Sequence, residues 1–155
     1  MIIKVADFED LPEILTLQKL AYLSEAEIYQ DFSIPPLIQS QAQIEAEFRQ
    51  QIFLKVVFQG KIIGSVRGYK AGNTCYMGRL IVHPDHQNKG IGTRLMVKLE
   101  NEFPDVERYE LFTGDKSKRN LYLYCKLGYQ VFKTYQLSEQ VRLLYLEKWV
   151  TSRQK

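Results

Sequence analysis

The sequence predicts a mixed α/β domain of the α+β class, with a central, mostly antiparallel sheet of about seven strands flanked by four helices. Runs rich in β-forming residues alternate with segments of helical period along the whole chain. Three such runs in the middle follow one another through short glycine-containing turns, as in an antiparallel meander. A later run is joined to the meander through a helix, as in a parallel crossover. We therefore expect one domain that comprises residues 1–155.

The first third of the chain predicts one strand and two helices around an irregular segment. Ile2 to Val5 has the pattern of a short strand, and Asp10 has the pattern of an N-cap with a capping box for the first helix. Residues 24–40 include two adjacent prolines that cannot lie inside a helix, so we expect this segment to be irregular. A second helix is expected from Gln41 to Gln50, with Ser40 as its N-cap.

The rest of the chain predicts six strands and two helices. The expected strands are Ile52 to Phe58, Lys61 to Lys70, Thr74 to Val82, Arg108 to Thr113, Gln130 to Gln136 and Val141 to Val150. One helix is expected to begin near Ile91, and a short one runs from Lys118 to Leu127, where Gly128 closes it. The last two strands are expected to form a hairpin.

The loop between the third meander strand and the following helix has the pattern of a phosphate-binding site. The helix buries residues spaced four apart, which are Ile91, Leu95, Leu99 and Phe103. Its start, residues 88–93, contains no acidic residue, although helix starts usually carry one. Gly90 and Gly92 remove side chains that would keep an anion from the backbone amides, and Lys89 and Arg94 add positive charge.

Two familiar phosphate-binding motifs do not fit this loop. A dinucleotide fingerprint needs a third glycine near Leu95, and the Gly-Lys-Ser/Thr ending of a P-loop occurs nowhere in the chain. What remains is Gln87-x-x-Gly90-x-Gly92, preceded by Leu-Ile-Val-His-Pro, between a strand and a helix. With these motifs the chain resembles the GCN5-related N-acetyltransferase (GNAT) superfamily, whose acetyl-CoA signature is Gln/Arg-x-x-Gly-x-Gly/Ala in this setting.

The resemblance implies that acetyl-CoA is the co-substrate and predicts the residues that bind it. The residues that it implies are Leu80, Ile81, Val82, Gln87, Asn88, Lys89, Gly90, Ile91, Gly92, Thr93, Ser117 and Asn120. In the family, the first three contribute backbone groups at a bulge where their strand separates from the next, and these groups bind the pantetheine and can stabilise an oxyanion. Ser117 and Asn120 stand where the family pattern has asparagine and alanine. Lys116, Lys118 and Arg119 either contact the 3′-phosphate or adenine end or form a solvated basic loop.

Residues 120–129 resemble a second motif of the family, a helix that carries a tyrosine and ends in Leu-Gly-Phe/Tyr. The resemblance implies that Tyr124 is the catalytic acid that protonates the departing thiolate. A thiol has a pKa of about 8.5 and a phenol of about 10, so such a transfer is chemically reasonable. The alternative is that Tyr122, Tyr124 and Tyr129 only pack.

The proton of the attacking amine needs an acceptor, which the sequence does not identify. Several family members use a glutamate on the fourth strand, but residues 74–79 contain no acid. Glu25, Glu27 and Asp31 lie in the segment that builds the acceptor pocket in the family, and they are predicted to bind substrate or to act as base. Their alternative role is an exposed helix end. Tyr76 is predicted to lie near the amine if water takes the proton.

These observations predict a cytoplasmic, acetyl-CoA-dependent N-acetyltransferase in which a primary amine attacks the thioester directly in a ternary complex. The acceptor is a small molecule or a protein, and family analogy predicts a homodimer through the final strands. A net charge of +3 argues against a nucleic-acid partner, and the lack of 18 consecutive apolar residues argues against a membrane span. No metal is expected from His83, His86 and two cysteines. The alternatives are a non-catalytic acetyl-CoA sensor of the same fold and a nucleic-acid-binding domain.

Overall fold

Seven strands form one mixed sheet in the computed structural model, which describes residues 1–150. In chain order the strands are β1 (Ile2–Val5), β2 (Ile52–Phe58), β3 (Lys61–Ala71), β4 (Thr74–Val82), β5 (Arg108–Gly114), β6 (Gln130–Gln136) and β7 (Arg142–Trp149). Their order across the sheet is β1-β2-β3-β4-β5-β7-β6, and all neighbours are antiparallel except the parallel pair β4 and β5. The predicted fold class is confirmed. The expectation of one domain over 1–155 includes residues 151–155, which lie outside the described residues.

Six α-helices accompany the sheet within residues 1–150. They are α1 (Leu11–Ala21), α2 (Leu23–Tyr29), α3 (Pro35–Ile38), α4 (Gln41–Phe48), α5 (Ile91–Asn101) and α6 (Lys118–Lys126). The prediction that residues 24–40 are irregular was wrong, because α2 and α3 lie there. Pro35 and Pro36 occupy the first turn of α3, where the missing N–H groups would have had no helical acceptor.

The two predicted helix caps have different outcomes. Ser40 caps α4 as predicted, since its Oγ accepts a hydrogen bond of 3.1 Å from the backbone N–H of Gln43. Asp10 does not cap α1, because its backbone is already helical. Its carboxylate instead accepts hydrogen bonds from the backbone N–H of Asp7 (2.7 Å) and from Nζ of Lys55 (2.6 Å).

The hydrophobic core covers both faces of the sheet. Of the four predicted inward residues, Ile91, Leu95 and Leu99 are buried on α5, and Phe103 is buried just beyond the end of the helix. Leu54, Val56 and Met77 of the strands beneath them are buried in the same cluster. On the opposite face, Ile14 and Leu17 of α1 belong to a cluster that includes strand residues. The predicted face of α5 is therefore confirmed, and α5 is fixed to the sheet by burial of its apolar side.

Strands β4 and β5 separate at a β-bulge, as the resemblance implied. Their parallel register ends at Tyr76 and Glu110, although both strands continue beyond this pair. On the other side of β4, Arg79 and Leu80 together oppose Val66 of β3, and Arg79 has a left-handed φ of 52°. The bulge and the separation leave an opening in the middle of the sheet.

The outer edge of the sheet is formed by β6, all of whose residues are exposed. Pairing of this region with a second copy of the chain stays a prediction. Of the two cysteines, Cys75 is buried in the core and Cys125 is exposed on α6. Burial, together with the charge of Glu100, raises the pKa of the Cys75 thiol to about 12. None of the helices within residues 1–150 has the length and apolar character that crossing a bilayer requires.

Candidate functional site

Two adjoining cavities open where β4 and β5 separate. The outer cleft, of about 670 Å³, lies between the loop before α5, the first turn of α5 and the first turns of α6. The inner cavity, of about 190 Å³, is enclosed by α2, α3, β4, β5 and β7. The residues that line both spaces are Tyr22, Glu25, Leu80, Ser117 and Asn120. A ligand that fills the outer cleft therefore reaches the inner cavity at these side chains.

The outer cleft brings together nearly all of the predicted cofactor-binding residues. Every one of them lines it except Lys89, which is exposed outside it. The basic residues Lys116, Lys118 and Arg119 also line the cleft, although the sequence left open whether they form a solvated loop. Segments from two distant parts of the sequence thus line one space that carries several basic side chains.

The first turn of α5 has the features of an anion site, with different roles for its two glycines. Gly90 has a left-handed φ of 82°, and a Cβ added there would have no atom within 4 Å. A Cβ on Gly92 would lie 3.0 Å from Cδ1 of Leu123 on α6. Gly90 therefore sets the backbone conformation at the cleft, whereas Gly92 lets α6 approach α5. The sequence interpretation assigned both glycines to anion access, and for Gly92 the contact with α6 gives a different reason.

Gln87 connects the loop before α5 with β4 and α6. Its Nε2 donates a hydrogen bond of 3.3 Å to the carbonyl oxygen of Val82. Its Oε1 accepts a hydrogen bond from Nη1 of Arg119, which extends from the first turn of α6. This contact holds the two walls of the outer cleft together and keeps a guanidinium group beside the N-terminus of α5.

The inner cavity has mainly apolar walls and contains Tyr124, whose side chain is only 4% exposed. Burial raises the pKa of Tyr124, and the nearby Tyr22 and Glu25 add to the effect, so its phenol is protonated at neutral pH. Tyr129 instead donates a hydrogen bond of 2.7 Å to Glu100. Among the three tyrosines of this motif, only Tyr124 lines the inner cavity.

One of the four predicted substrate-binding residues lies at the two cavities. Glu25 lines both, and its carboxylate accepts a hydrogen bond of 2.5 Å from Oγ of Ser117. This bond fixes the carboxylate at the boundary between the outer cleft and the inner cavity. The predicted cofactor residue Ser117 thus also orients a predicted substrate residue.

The other three predicted substrate-binding residues lie elsewhere. Glu27 is exposed and lines neither cavity. The carboxylate of Asp31 accepts hydrogen bonds from the side chain and backbone of Ser33, which lower the pKa of Asp31. Tyr76 stacks on Tyr69 with 5.4 Å between ring centroids, in the part of β4 that is still paired with β5. None of the three lines the outer cleft or the inner cavity.

Tyr29 fixes α2, and with it Glu25, against the turn that follows β5. It lies one helical turn after Glu25, on the same face of α2. Its hydroxyl accepts a hydrogen bond of 2.7 Å from the backbone N–H of Lys116 and donates one of 3.1 Å to Asp115. A Cβ on Gly114 would lie 2.2 Å from this hydroxyl, so glycine is required for the close approach. Burial raises the pKa of Tyr29 to about 12.

Arg79 and Tyr22 line the inner cavity although sequence reasoning did not identify either of them. Nε of Arg79 is buried and has no hydrogen-bond partner in the described part of the chain. Burial raises the pKa of Tyr22, while the adjacent positive charge of Arg79 acts in the opposite direction. A signal for Arg79 was present, since it is the single charged residue in the strand from Thr74 to Val82.

Comparison with known protein families and curated proteins identifies relatives of this chain. The family model described as "Acetyltransferase (GNAT) family" matches residues 11–129. The chain is also 31% identical over 151 residues to the UPF0157 protein YqkA of Bacillus subtilis (strain 168). That match covers 88% of this chain and 43% of the relative, so the chain spans less than half of the relative's length.

Solved structures share the fold. The ribosomal-protein-S18-alanine N-acetyltransferase from Escherichia coli superposes with a TM-score of 0.80 at 16% identity, covering 97% of this chain and 94% of that chain. The Salmonella typhimurium protein yncA, solved with acetyl-CoA, gives 0.77 at 16% identity with the same coverage of 97% and 94%. An aminoglycoside 6′-N-acetyltransferase in complex with coenzyme A gives 0.72 at 19% identity, covering 96% of this chain and 97% of that chain.

Proposed function

The chain belongs to the acetyltransferase (GNAT) family, and from this premise we propose that it transfers an acetyl group from acetyl-CoA to a primary amine. The observation that carries the proposal is the pair of adjoining cavities at the separated strands β4 and β5. The outer cleft has a volume of about 670 Å³ and is lined by several basic residues, and the inner cavity is mainly apolar and contains a buried phenol. The structures of yncA with acetyl-CoA and of the aminoglycoside enzyme with coenzyme A support the proposal.

In this proposal the outer cleft binds acetyl-CoA, which supplies the acetyl thioester. The residues of the cleft fit this ligand, because the helix start without acids and the open space at Gly90 suit a pyrophosphate. Lys116, Lys118 and Arg119 suit further phosphate groups. On the side that faces β5, β4 has no partner strand beyond Tyr76 within residues 1–150, so its peptide groups near Leu80 can bind the amides of the pantetheine arm.

Glu25 is proposed to accept the proton that the amine nitrogen loses, directly or through water. A primary alkyl amine has a pKa of about 10, so on the order of one molecule in a thousand is nucleophilic at neutral pH. A carboxylate beside the amine attracts its cationic form and accepts one proton from it, which leaves the neutral amine with the lone pair that attacks the thioester; this proton then passes to solvent. Glu25 is the single acidic side chain that lines the inner cavity among the described residues, and Ser117 holds it in place.

Tyr124 is proposed to donate the proton that sulfur gains as the carbon–sulfur bond breaks. Its raised pKa keeps the phenol protonated, and its apolar surroundings also disfavour a free thiolate. The overall reaction is then balanced, since the neutral amine loses one proton, sulfur gains one, and the acetyl group moves from sulfur to nitrogen. The further proton that Glu25 takes from the cationic amine is released to solvent.

The test combines acetyl-CoA binding with a panel of amines, and free thiol is the product that is measured. Acetyl-CoA should raise the melting temperature of the wild type and of Tyr124→Phe to the same extent. Tyr124→Phe should lower kcat by about a hundredfold, because general acid catalysis contributes on that scale. Tyr135→Phe is the matched control, since this tyrosine is 53% exposed on β6 and lines neither cavity.

The outcomes separate the alternatives. Absence of stabilisation by acetyl-CoA would refute the assignment of acetyl-CoA as the co-substrate. Unchanged turnover in Tyr124→Phe would refute the assignment of Tyr124 as the catalytic acid. Stabilisation without turnover on any amine would favour a sensor that binds acetyl-CoA. Binding to nucleic acid that weakens steeply with salt, without stabilisation by CoA, would favour a nucleic-acid-binding domain.

A second variant tests the proton acceptor. Glu25→Gln should retain stabilisation by acetyl-CoA but turn over only as the amine itself becomes neutral. Its rate should therefore keep rising with pH toward about 10, the ordinary pKa of an alkyl amine. A pH profile identical to that of the wild type would exclude Glu25 as the base.

A further inference from the structure

We infer that the acceptor amine also carries a carboxylate and that Arg79 binds this carboxylate in the inner cavity. The inference deepens the proposed function and rests on it, because it assumes that the inner cavity holds the acceptor. Either a free amino acid or a short peptide with a carboxylate near its amino terminus has this chemistry.

The first argument is that Arg79 has an unused hydrogen-bond donor in a cavity. Its Nε is buried without a partner within residues 1–150, and the side chain forms no salt bridge with the acidic residues of that part. Buried donors are normally paired, because an unpaired one has lost its water without compensation. A carboxylate accepts two parallel hydrogen bonds from a guanidinium group and would satisfy this donor.

Arg67 on the neighbouring strand β3 shows what a fully paired arginine looks like in the same protein. Its guanidinium contacts Glu47 (2.9 Å), Gln18 (3.0 Å) and Gln39 (2.9 Å). All of these partners belong to the chain itself. Arg79, one strand away, has a side-chain hydrogen bond with Tyr22 but no acidic partner among the described residues, and its Nε is unpaired. This is the arrangement expected for a side chain whose charged partner arrives with the ligand.

The second argument is the conformation at the bulge. Arg79 has a φ of 52°, which is uncommon for a residue with a long side chain. Bulges next to active sites redirect side chains, and strained residues concentrate where a function requires them. Here the bulge lies in the wall of the inner cavity, and Arg79 is the single cationic residue that lines it among those described.

The third argument is the distribution of charge. Glu25 and Arg79 both line the inner cavity but form no salt bridge with each other, and the remaining walls are mostly apolar. An ammonium group matches Glu25, a carboxylate matches Arg79, and an apolar side chain matches the walls. The volume of about 190 Å³ is below the usual range of sites for drug-sized ligands, so a small acceptor or the end of a larger one fits.

The experiment uses matched sets of amines that differ in the carboxylate. L-Leucine is compared with L-leucinamide and 3-methylbutylamine. The C-terminally amidated dipeptide leucyl-aspartate amide is compared with leucyl-asparagine amide, so that the side-chain carboxylate is the one difference within the pair. Dissociation constants are measured calorimetrically for the free protein and for its complex with CoA. Binding is the primary readout, because removal of the carboxylate also changes the basicity of the amine. The two arms distinguish a free amino acid from a peptide.

At least one acid should bind about tenfold or more tightly than its neutral partner in the wild type, as expected for a charge-assisted hydrogen bond. The difference should disappear in Arg79→Gln and return in part in Arg79→Lys. Arg49→Gln is the matched control, because this arginine is exposed at the end of α4 and lines neither cavity. The control should bind like the wild type.

Equal binding of acids and neutral partners, binding of none of the acids, or an unchanged preference in Arg79→Gln would overturn the inference. These results are independent of whether CoA binds or the amine is acetylated. Failure of the proposed function would show instead as loss of stabilisation by acetyl-CoA or loss of turnover over the whole amine panel.

Discussion

The contact between Tyr29 and Gly114 predicts a large and specific effect of one added methyl group. In Gly114→Ala the new Cβ would lie 2.2 Å from the hydroxyl oxygen of Tyr29 and 2.8 Å from Cζ. Tyr29 would have to move, and overpacking of this kind costs about 1–3 kcal/mol. The displaced hydroxyl would also leave the backbone N–H of Lys116 without its acceptor, which adds about 1 kcal/mol. Alanine also restricts the unfolded chain more than glycine does, which raises the free energy of unfolding by roughly 0.5 kcal/mol.

The unfolding free energy of Gly114→Ala should therefore fall by about 1.5–3.5 kcal/mol, equivalent to roughly 3–14 °C in melting temperature for a chain of this size. Tyr29→Phe alone should cost about 1–2 kcal/mol, because it removes the hydroxyl and both of its hydrogen bonds. In the double variant the closest clashing atom is absent. The double variant should lose at least about 1 kcal/mol less than the sum of the two single losses.

The four proteins are compared by urea denaturation followed by circular dichroism. Gly78→Ala is the matched control, since a Cβ at Gly78 would meet nothing within 4 Å and its φ is not positive. The control should be as stable as the wild type or slightly more stable. Additivity of Gly114→Ala and Tyr29→Phe within about 0.5 kcal/mol would refute the reasoning, because it would mean that the hydroxyl does not limit the space at Gly114.

Three further predictions concern the cleft, the pH dependence of stability and the tyrosine that we regard as structural. Gly90→Ala should cost about 1 kcal/mol in denaturation and weaken acetyl-CoA binding in calorimetry, because alanine disfavours a φ of 82°; unchanged affinity would contradict this. Burial alone would raise the pKa of Asp10, but the hydrogen bond and charge of Lys55 outweigh it and lower the pKa below 3.8. Asp10→Asn should therefore lower the free energy of unfolding by about 2 kcal/mol in urea denaturation at pH 7. This difference from the wild type should shrink as the pH falls through the lowered pKa of Asp10 in the folded state. A difference that does not depend on pH would exclude the pair of Asp10 and Lys55 as its cause. Tyr129→Phe should reduce stability by about 1–2 kcal/mol through its lost bond to Glu100 while turnover is retained, and a loss of turnover like that of Tyr124→Phe would argue for a direct role.

The fold was largely predictable because its strands and α5 carry their pattern locally. The four-residue spacing of α5 and the alternation of the meander depend only on neighbours in the sequence. The helices α2 and α3 were missed because they are short and their burial depends on distant residues. Ala26, Tyr29 and Ile34 are buried in a cluster with Val141 and Leu143, more than 100 residues away.

The same distinction explains the candidate site. The loop and first turn of α5 are continuous in sequence, so this wall of the outer cleft could be predicted from one motif. The choice of Glu25 over Glu27 depends on a contact with Ser117, which is 92 residues away. The position of Arg79 in the wall of the inner cavity depends on a bulge that is defined by the pairing of β4 with β3. Periodicity contains no information on either contact.

The unequal exposure of the two cysteines has a practical consequence. Cys75 is buried with a pKa raised to about 12, whereas Cys125 is exposed directly beside Tyr124 in the sequence of α6. A maleimide fluorophore or spin label should therefore attach selectively at Cys125 of the native chain and report on α6 without further mutagenesis. The same thiol will give one equivalent of background in any colorimetric assay of released CoA. Cys125→Ser is accordingly the appropriate parent for kinetic measurements.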